Sequence, residues 1–468
     1  MDVKIINIDK KIDCEHMLGK YLTEDDADIL VENEAVDVYG PKGVGQTEND
    51  ESNLVCCFRP NAFNQAEIQE AYEGLREGAS ESTNRGISGG LNVSGLDHRR
   101  RELIDGVELF VMGWLKDVDK GLEDPTQQDI QDKIDWATAA KKAGKKFGKI
   151  NRGKTWQRKR MDAAGYSGML GPEFFQHFIK SLDGLNKHEI SQKAKDFWTE
   201  FVSSTETATS VLSGIGGYFG RYPRIPYCRT TAFTASDASR WEKCITYIQR
   251  TDDYFRKLIP GRYAVQKKVA ESYDPRFRIG ETAFTTVTIN ANFQTACHRD
   301  AGDLEEGFGN LTCTGKGEWD GGYTIMPEYR VGVKLKPGDL LLANVSRDIH
   351  GNTPYTEKGT GKLAEFSGSR MNMNVNFERV SLVCYLRRNM IECGSYEYER
   401  LREKWVKDLQ ADESRPEHKK YGNLNKWNGI FPGMWESDEW VHVLRSNGFD
   451  DEANKIRPEA SNTLESFF

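Results

Sequence analysis

Between about residue 277 and residue 390 the apolar residues of this chain recur at every second position. Val287, Ile289, Ala291 and Phe293 alternate with Thr286, Thr288, Asn290 and Asn292, and Val331, Val333 and Leu335 alternate in the same way. A period of two means an extended chain whose successive side chains point to opposite faces, and it excludes a helix over the same span. Leu340-Leu341-Leu342-Ala343 follows a Pro-Gly turn and reads as a buried strand, and 371–376 and 380–385 read as closing strands. Many short strands with turn signals and no helix between them predict a double-sheet jelly roll, the double-stranded β-helix.

Elsewhere the pattern is different. Residues 1 to about 50 are acidic and weakly patterned, and Leu54-Val55-Cys56-Cys57-Phe58 reads as a buried strand. Asn64 with Glu67 forms a capping-box pattern that opens a helix through Ile68, Tyr72 and Leu75. From about 100 to 210 the apolar spacing is helical, with Ile104, Val107, Phe110, Val111 and Trp114 on one face. Thr234 and Asp237 start a helix through Trp241, Ile245, Ile248 and Phe255, and the chain beyond 394 is helical and tryptophan-bearing. The expected organisation is therefore α+β. A mostly helical region spans 1–213, a jelly-roll core 214–393 and a helical extension 394–468.

No stretch of the 468 residues approaches the roughly 20 apolar residues that cross a bilayer, so no membrane partner is expected. The first residues, Met1-Asp2-Val3-Lys4, lack the basic and apolar regions of a secretory signal. An intracellular location follows as an expectation: cytoplasm of a bacterial host, or nucleus if the source is eukaryotic. Nine cysteines without a Cys-x-x-Cys spacing signal neither zinc nor a disulfide framework, and reduced thiols are expected.

A net charge of −8 weighs against binding nucleic acid by overall charge. Its distribution is uneven, since 141–160 holds ten basic residues and no acidic one. Lys145, Lys146, Arg158 and Lys159, with Trp156, form either a phosphate-facing strip or a solvated loop. The segment 214–231 sets Arg221, Arg224 and Arg229 beside Tyr218, Tyr222 and Tyr227. These residues suit phosphate contact and base stacking, or equally a packed loop.

The chemistry concentrates at His298-Arg299-Asp300 and His350. On an extended backbone His298 and Asp300 point the same way and can reach one cation. Two imidazoles and a carboxylate leave open positions on an octahedral metal, the arrangement of non-haem iron(II) oxygenases. Arg379 heads the last strand; it is either an edge arginine paired with Glu378 or Glu365, or the fork that holds the distal carboxylate of 2-oxoglutarate.

The order His-x-Asp, Gly-Gly-x4-Pro (321–327), Pro-Gly-Asp (337–339), His-Gly-Asn-Thr-Pro (350–354) and Arg-Val-Ser-Leu-Val-Cys-Tyr (379–385) resembles the TET/JBP family of dioxygenases. The resemblance covers about 215–390 and is closer to the compact thymine-hydroxylase or viral type than to the animal enzymes. It implies Fe(II), 2-oxoglutarate and O2 as cofactors, and oxidation of the 5-methyl group of thymine or 5-methylcytosine in DNA. By that resemblance His298, Asp300 and His350 hold iron, and Arg379 holds 2-oxoglutarate. Asn292 and Arg299 lie near enough in sequence to line the pocket. A base methyl inside a duplex is out of reach of a buried metal, so a flipped or single-stranded base is implied. The alternatives are a hydroxylase of RNA, a protein side chain or a small molecule, and a jelly-roll binding module without chemistry.

Overall fold

A computed structural model describes residues 2–47, 49–82, 85–90, 211–221, 225–300, 302–365, 374–416 and 433–458. The chain opens with β1 (Lys4–Asn7), β2 (Ile29–Val31), β3 (Val36–Tyr39) and β4 (Leu54–Arg59), then α1 (Gln65–Leu75) and β5 (Ser80–Ser82). The next described elements are β6 (Val211–Phe219), β7 (Arg229–Thr230), the helices α2 (Ala238–Leu258) and α3 (Pro260–Glu271), and β8 (Thr286–Ala291). There follow β9 (Gly309–Lys316), β10 (Trp319–Gly321), β11 (Tyr323–Met326), β12 (Val331–Lys334) and β13 (Leu340–Ala343). The strands end with β14 (Gly351–Asn352), β15 (Tyr355–Glu357) and β16 (Glu378–Tyr385), and α4 (Tyr396–Ala411), α5 (Asp438–Ser446) and α6 (Asp450–Ile456) close the described chain.

Ten strands make the major sheet, in the order β1-β3-β4-β13-β9-β16-β8-β6-β5 with β7 beside β6. A second sheet runs β14-β11-β12-β2, and β10 pairs with β15. Pairing is antiparallel except for β1 with β3 and β12 with β2. The period-two reading holds inside this frame. Leu340 and Leu342 join a core with Ile68 and Leu75 of α1 and with Ile248 and Phe255 of α2. Leu341 and Ala343 join a second core with Met326, Val331 and Val333 of the smaller sheet. Both faces of β13 are buried, which is why its sequence is unbroken apolar rather than alternating. The molecule thus layers helices, a large sheet and a small sheet around two cores, a mixed α+β architecture.

The capping box at Asn64 and Glu67 is present, and Asp237 caps α2 as the sequence indicates. Three expectations need correction. Residues 2–90 are not mostly helical: they hold five strands and one α-helix, and all five strands enter the two larger sheets. The core therefore does not begin at 214. β4 is the strand that the apolar run 54–58 announces; the other four have three or four residues each and take their place from partners elsewhere in the chain, β2 from β12 and β5 from β6, so no local period announces them. The helical pattern at 100–210 lies outside the described residues. Cys228 and Cys393 form a disulfide across 165 residues, against the expectation of reduced thiols throughout; the other seven cysteines are free and buried. In the proposed closing strand 371–376, the described residues 374–376 are bends.

Candidate active site

His298 and His350 face each other across an antiparallel bridge. The His298 N–H donates to the His350 carbonyl at 2.9 Å, and the His350 N–H returns the bond at 3.0 Å. Two residues on, the Asp300 N–H donates to Val345 O at 2.9 Å, which keeps Asp300 on the same side as His298. The imidazole centroids are 4.3 Å apart. Each ring uses Nδ1 on a backbone carbonyl: Ala296 O at 2.7 Å for His298, Asp348 O at 3.2 Å for His350. That contact puts the proton on Nδ1 and leaves the Nε2 lone pair free. The two Nε2 atoms lie 3.4 and 3.9 Å from the Asp300 carboxylate oxygens.

All three donor atoms lie within 4.8 Å of one another, the sole such His/Cys/Asp/Glu group among the described residues. Cis ligands at about 2.1 Å from a metal are about 3 Å apart. A small contraction therefore suits the cluster to a cation, and two nitrogens with one oxygen are the donors that iron(II) takes with open positions. Electrostatics agree. Burial and then the charge of His298 push His350 down to about 4, so its ring is neutral at physiological pH. Burial disfavours charge on Asp300, but the His298 hydrogen bond and the charges of His350, His298 and Arg85 outweigh it and hold the carboxylate below its ordinary range. Burial also opposes protonation of His298, yet the Asp300 hydrogen bond and charge keep its pKa above the usual value.

Arg379 is 2% exposed, on β16 opposite Gly315 of β9. Gly315 has φ +154°, and a Cβ there would come within 2.2 Å of the Glu378 carbonyl. A side chain at that position would break the pairing that holds Arg379. The guanidinium stacks 4.8 Å over the Tyr355 ring. Among the described residues neither its Nε nor the Tyr355 hydroxyl has a hydrogen-bond partner. Glu378, the carboxylate beside it in sequence, bonds Arg76 and Tyr72 instead. Buried donors without acceptors are costly, and a carboxylate between them would satisfy both.

Polar side chains next to the cluster, Asp303, Arg387 and Arg85, were not singled out from the sequence. Asp303 donates its N–H to Asp300 O at 3.3 Å and pairs by an antiparallel bridge with Arg387. Asp303 is 8% exposed with Oδ2 unpartnered, and burial followed by the Asp300 charge drives its pKa well above the usual range. The Arg387 Nη1 donates to the Tyr385 hydroxyl at 3.0 Å, while its Nε is unpaired. Arg85 leaves its Nε unpaired as well, and the charge of Asp300 acts on it. The guanidinium groups of Arg387 and Arg229 lie 3.6 and 4.8 Å from the centre of the Phe219 ring. One signal was available: Val380, Leu382 and Cys384 face the helices, so the opposite parity from Arg379 runs through Tyr385 and on to Arg387.

Other expected site residues are placed elsewhere. Arg299 sits between two inward side chains and so points outward; its guanidinium bonds Glu15 at 2.6 Å and Arg347 O at 2.7 Å. Asn292, at φ 46°, spends its amide on the Phe377 carbonyl and the Arg379 N–H, fixing the strand that carries Arg379 rather than lining the pocket. Tyr218 packs edge-on against Phe277 at 6.0 Å, inside a core cluster. Arg221 is taken up by the buried Glu399 of α4. Arg224, Lys145, Lys146, Trp156, Arg158 and Lys159 lie outside the described residues.

Residues 215–388 match the oxygenase domain of the 2OGFeDO superfamily, the Tet_JBP family. This stretch is a Tet/JBP oxygenase domain. A bifunctional helicase and thymine dioxygenase JBP2 of Trypanosoma brucei brucei is 31% identical over 231 residues, 47% of this chain and 19% of that protein. A thymine dioxygenase JBP1 of Leishmania infantum is 30% identical over 242 residues, 50% of this chain and 27% of that protein. The chain thus spans about a fifth to a quarter of the length of these curated relatives. A solved structure of NgTET1 in complex with 5mC DNA aligns with 45% of this chain and 72% of that one, at 14% identity and a TM-score of 0.28, too low to bear on the fold. The Tet/JBP family motifs read from the sequence fall within the matched stretch. No helix of the described residues is long and apolar enough to cross a membrane.

Proposed function

We propose that the chain is an Fe(II)- and 2-oxoglutarate-dependent dioxygenase that hydroxylates the 5-methyl group of a pyrimidine base in DNA. The observation that carries the reading is the His298–Asp300–His350 cluster, with its free Nε2 atoms and depressed carboxylate, inside a Tet/JBP oxygenase domain. His298, Asp300 and His350 would hold the iron, and Arg379 with Tyr355 the distal carboxylate of 2-oxoglutarate. Bound together, these groups supply the oxidising chemistry of O2 that breaks a methyl C–H bond. The protein's share is to bind, aim and exclude water.

The polar side chains beside Asp300 support a planar polar substrate. The Asp303 Oδ2 and the Nε–H groups of Arg85 and Arg387 are unpaired among the described residues, the mixture that the edge of a pyrimidine satisfies. The base would enter flipped from a duplex or from a single strand, with the basic run 141–160 as the candidate for holding the backbone. The names of the two relatives favour thymine over 5-methylcytosine. The paired sheets support a double-stranded β-helix, and a DNA substrate supports an intracellular location.

The test is incubation with Fe(II), 2-oxoglutarate and DNA carrying thymine or 5-methylcytosine, followed by nucleoside mass spectrometry. A 5-hydroxymethyl product is expected from the native enzyme and none from His298→Ala. Absence of product from both bases overturns the proposal.

A further inference from the structure

Glu328 lies in the turn between β11 and β12, is 4% exposed, and touches both arms of the cluster. Its Oε2 accepts the N–H of Ile349, the residue before His350, at 2.6 Å. Its Oε1 lies 3.4 Å from the Nη2 of Arg299, the residue between His298 and Asp300, and 3.5 Å from Lys11 Nζ. Arg299 extends the tie, since its Nε donates to the Arg347 carbonyl on the loop that leads to His350. Lys11 also pairs with Asp348 at 2.6 Å, and the Tyr329 hydroxyl donates to the same carboxylate at 3.0 Å. The two chain segments carrying the donor atoms are therefore joined not by backbone bonds alone, His298 with His350 and Asp300 with Val345, but also through one buried carboxylate.

A buried carboxylate is unfavourable unless its charge is matched, and here burial raises the pKa of Glu328 while Lys11 and Arg299 work to keep it charged. A salt bridge kept only for stability needs one cation. This one holds a cation from the His298 arm and a peptide N–H from the His350 arm on separate oxygens. We infer that Glu328 is a positioning residue, which sets the spacing of the His298–Asp300 arm from the His350 arm and so the affinity of the cluster for a divalent metal. The inference rests on reading that cluster as a metal site. Groups behind first-layer ligands govern metal affinity by about 10–100-fold.

The test is titration of metal-free protein with Co(II), followed by its visible ligand-field bands, beside thermal unfolding without metal. Glu328→Gln keeps an acceptor for Ile349 but removes the charge, and about 10-fold or more weaker Co(II) binding is expected from a folded variant. Glu15→Gln strips Arg299 of its exposed partner only and is expected to bind within about two-fold of the native chain, on the weakness of surface pairs. Glu328→Gln with Arg299→Gln should lose less than the sum of the two single losses, because the two share one contact. Native affinity in folded Glu328→Gln, an equal loss in Glu15→Gln, or additive losses in the double variant overturn the inference. Should Glu328→Gln fail to fold, Arg299→Gln alone serves, with weaker binding expected and native affinity overturning. A native chain that binds no Co(II) overturns the metal reading itself, and this inference with it.

Discussion

Arg379 is a buried cation with no ion pair among the described residues, and its Nε is unpaired beside the equally unpaired Tyr355 hydroxyl. Such a group is stabilised by a ligand rather than by the fold. Arg379→Gln should therefore weaken 2-oxoglutarate by about 100-fold, the worth of a charge-assisted pair. The unfolding temperature without cosubstrate should barely move. KM for 2-oxoglutarate beside a thermal melt checks this, and an unchanged KM refutes it. Asp339 shows the opposite case. It is 2% exposed and accepts the N–H groups of Asn61 and Lys336, yet burial pushes it up to about 6. A carboxyl raised on folding gives stability that is whole below the unfolded pKa of about 4 and lost as pH climbs through the folded value. Between pH 4 and 6 the native chain should lose up to about 3 kcal/mol relative to Asp339→Asn. Urea melts across that window measure the difference, and parallel curves would refute it. What the sequence made legible at this scale was residue type: a His-x-Asp, a distant His and a strand-heading Arg carry their chemistry in their identity. Direction was less legible. Alternation that sends His298 and Asp300 inward sends Arg299 outward, and the bond from Asn292 to the Arg379 N–H depends on a strand crossing that spacing does not reveal.

Elements were legible in proportion to how locally they are determined. α1 and α2 announce themselves by a cap and an apolar face, and β8, β12, β13 and β16 by alternation or an unbroken apolar run. β1, β2, β3 and β5 have three or four residues and take their identity from partners elsewhere: β2 from β12, β5 from β6. The attachment of α4 was hidden for the same reason. Glu399, near the start of that helix, is fully buried; it pairs with Arg221 and accepts the N–H groups of Cys228 at 2.7 Å and Gly394 at 2.8 Å. Arg402, one turn on, donates to the Pro226 carbonyl at 3.0 Å. An extension that only followed the core would not bury its carboxylate in the core's loop. Glu399→Ala should cost about 3 kcal/mol, because it strands a half-buried guanidinium and two backbone donors. Denaturant unfolding measures this; a change within about 0.5 kcal/mol, as for an ordinary surface substitution, would refute it.

At the scale of the molecule, the stretch that carries the chemistry is not the unit that folds. The family match spans 215–388 and includes the cluster and Arg379, but the major sheet is completed by strands from before residue 90. All four residues of β13 pair with β4, and α1 packs in the same core as Leu340 and Leu342. Without them β13 becomes an exposed apolar edge, the arrangement that invites association with other chains. The cluster also leans on this region. The Gly19 N–H donates to Cys297 O and the Cys297 N–H to Lys20 O, both at 2.8 Å, which clamps the segment just ahead of His298. The Ile12 N–H donates to Glu328 O at 2.9 Å, and Lys11 reaches the Glu328 carboxylate. Removing the chain after 393 would further take away Glu399, which holds Arg221 and the Cys228 N–H. A fragment of 214–393 should therefore lack a cooperative unfolding transition and bind Co(II) far more weakly than the full chain. Far-UV circular dichroism, a denaturant melt and the Co(II) titration test this together. A soluble fragment with cooperative unfolding and full-chain metal affinity would instead make the early strands an attachment to a self-sufficient core.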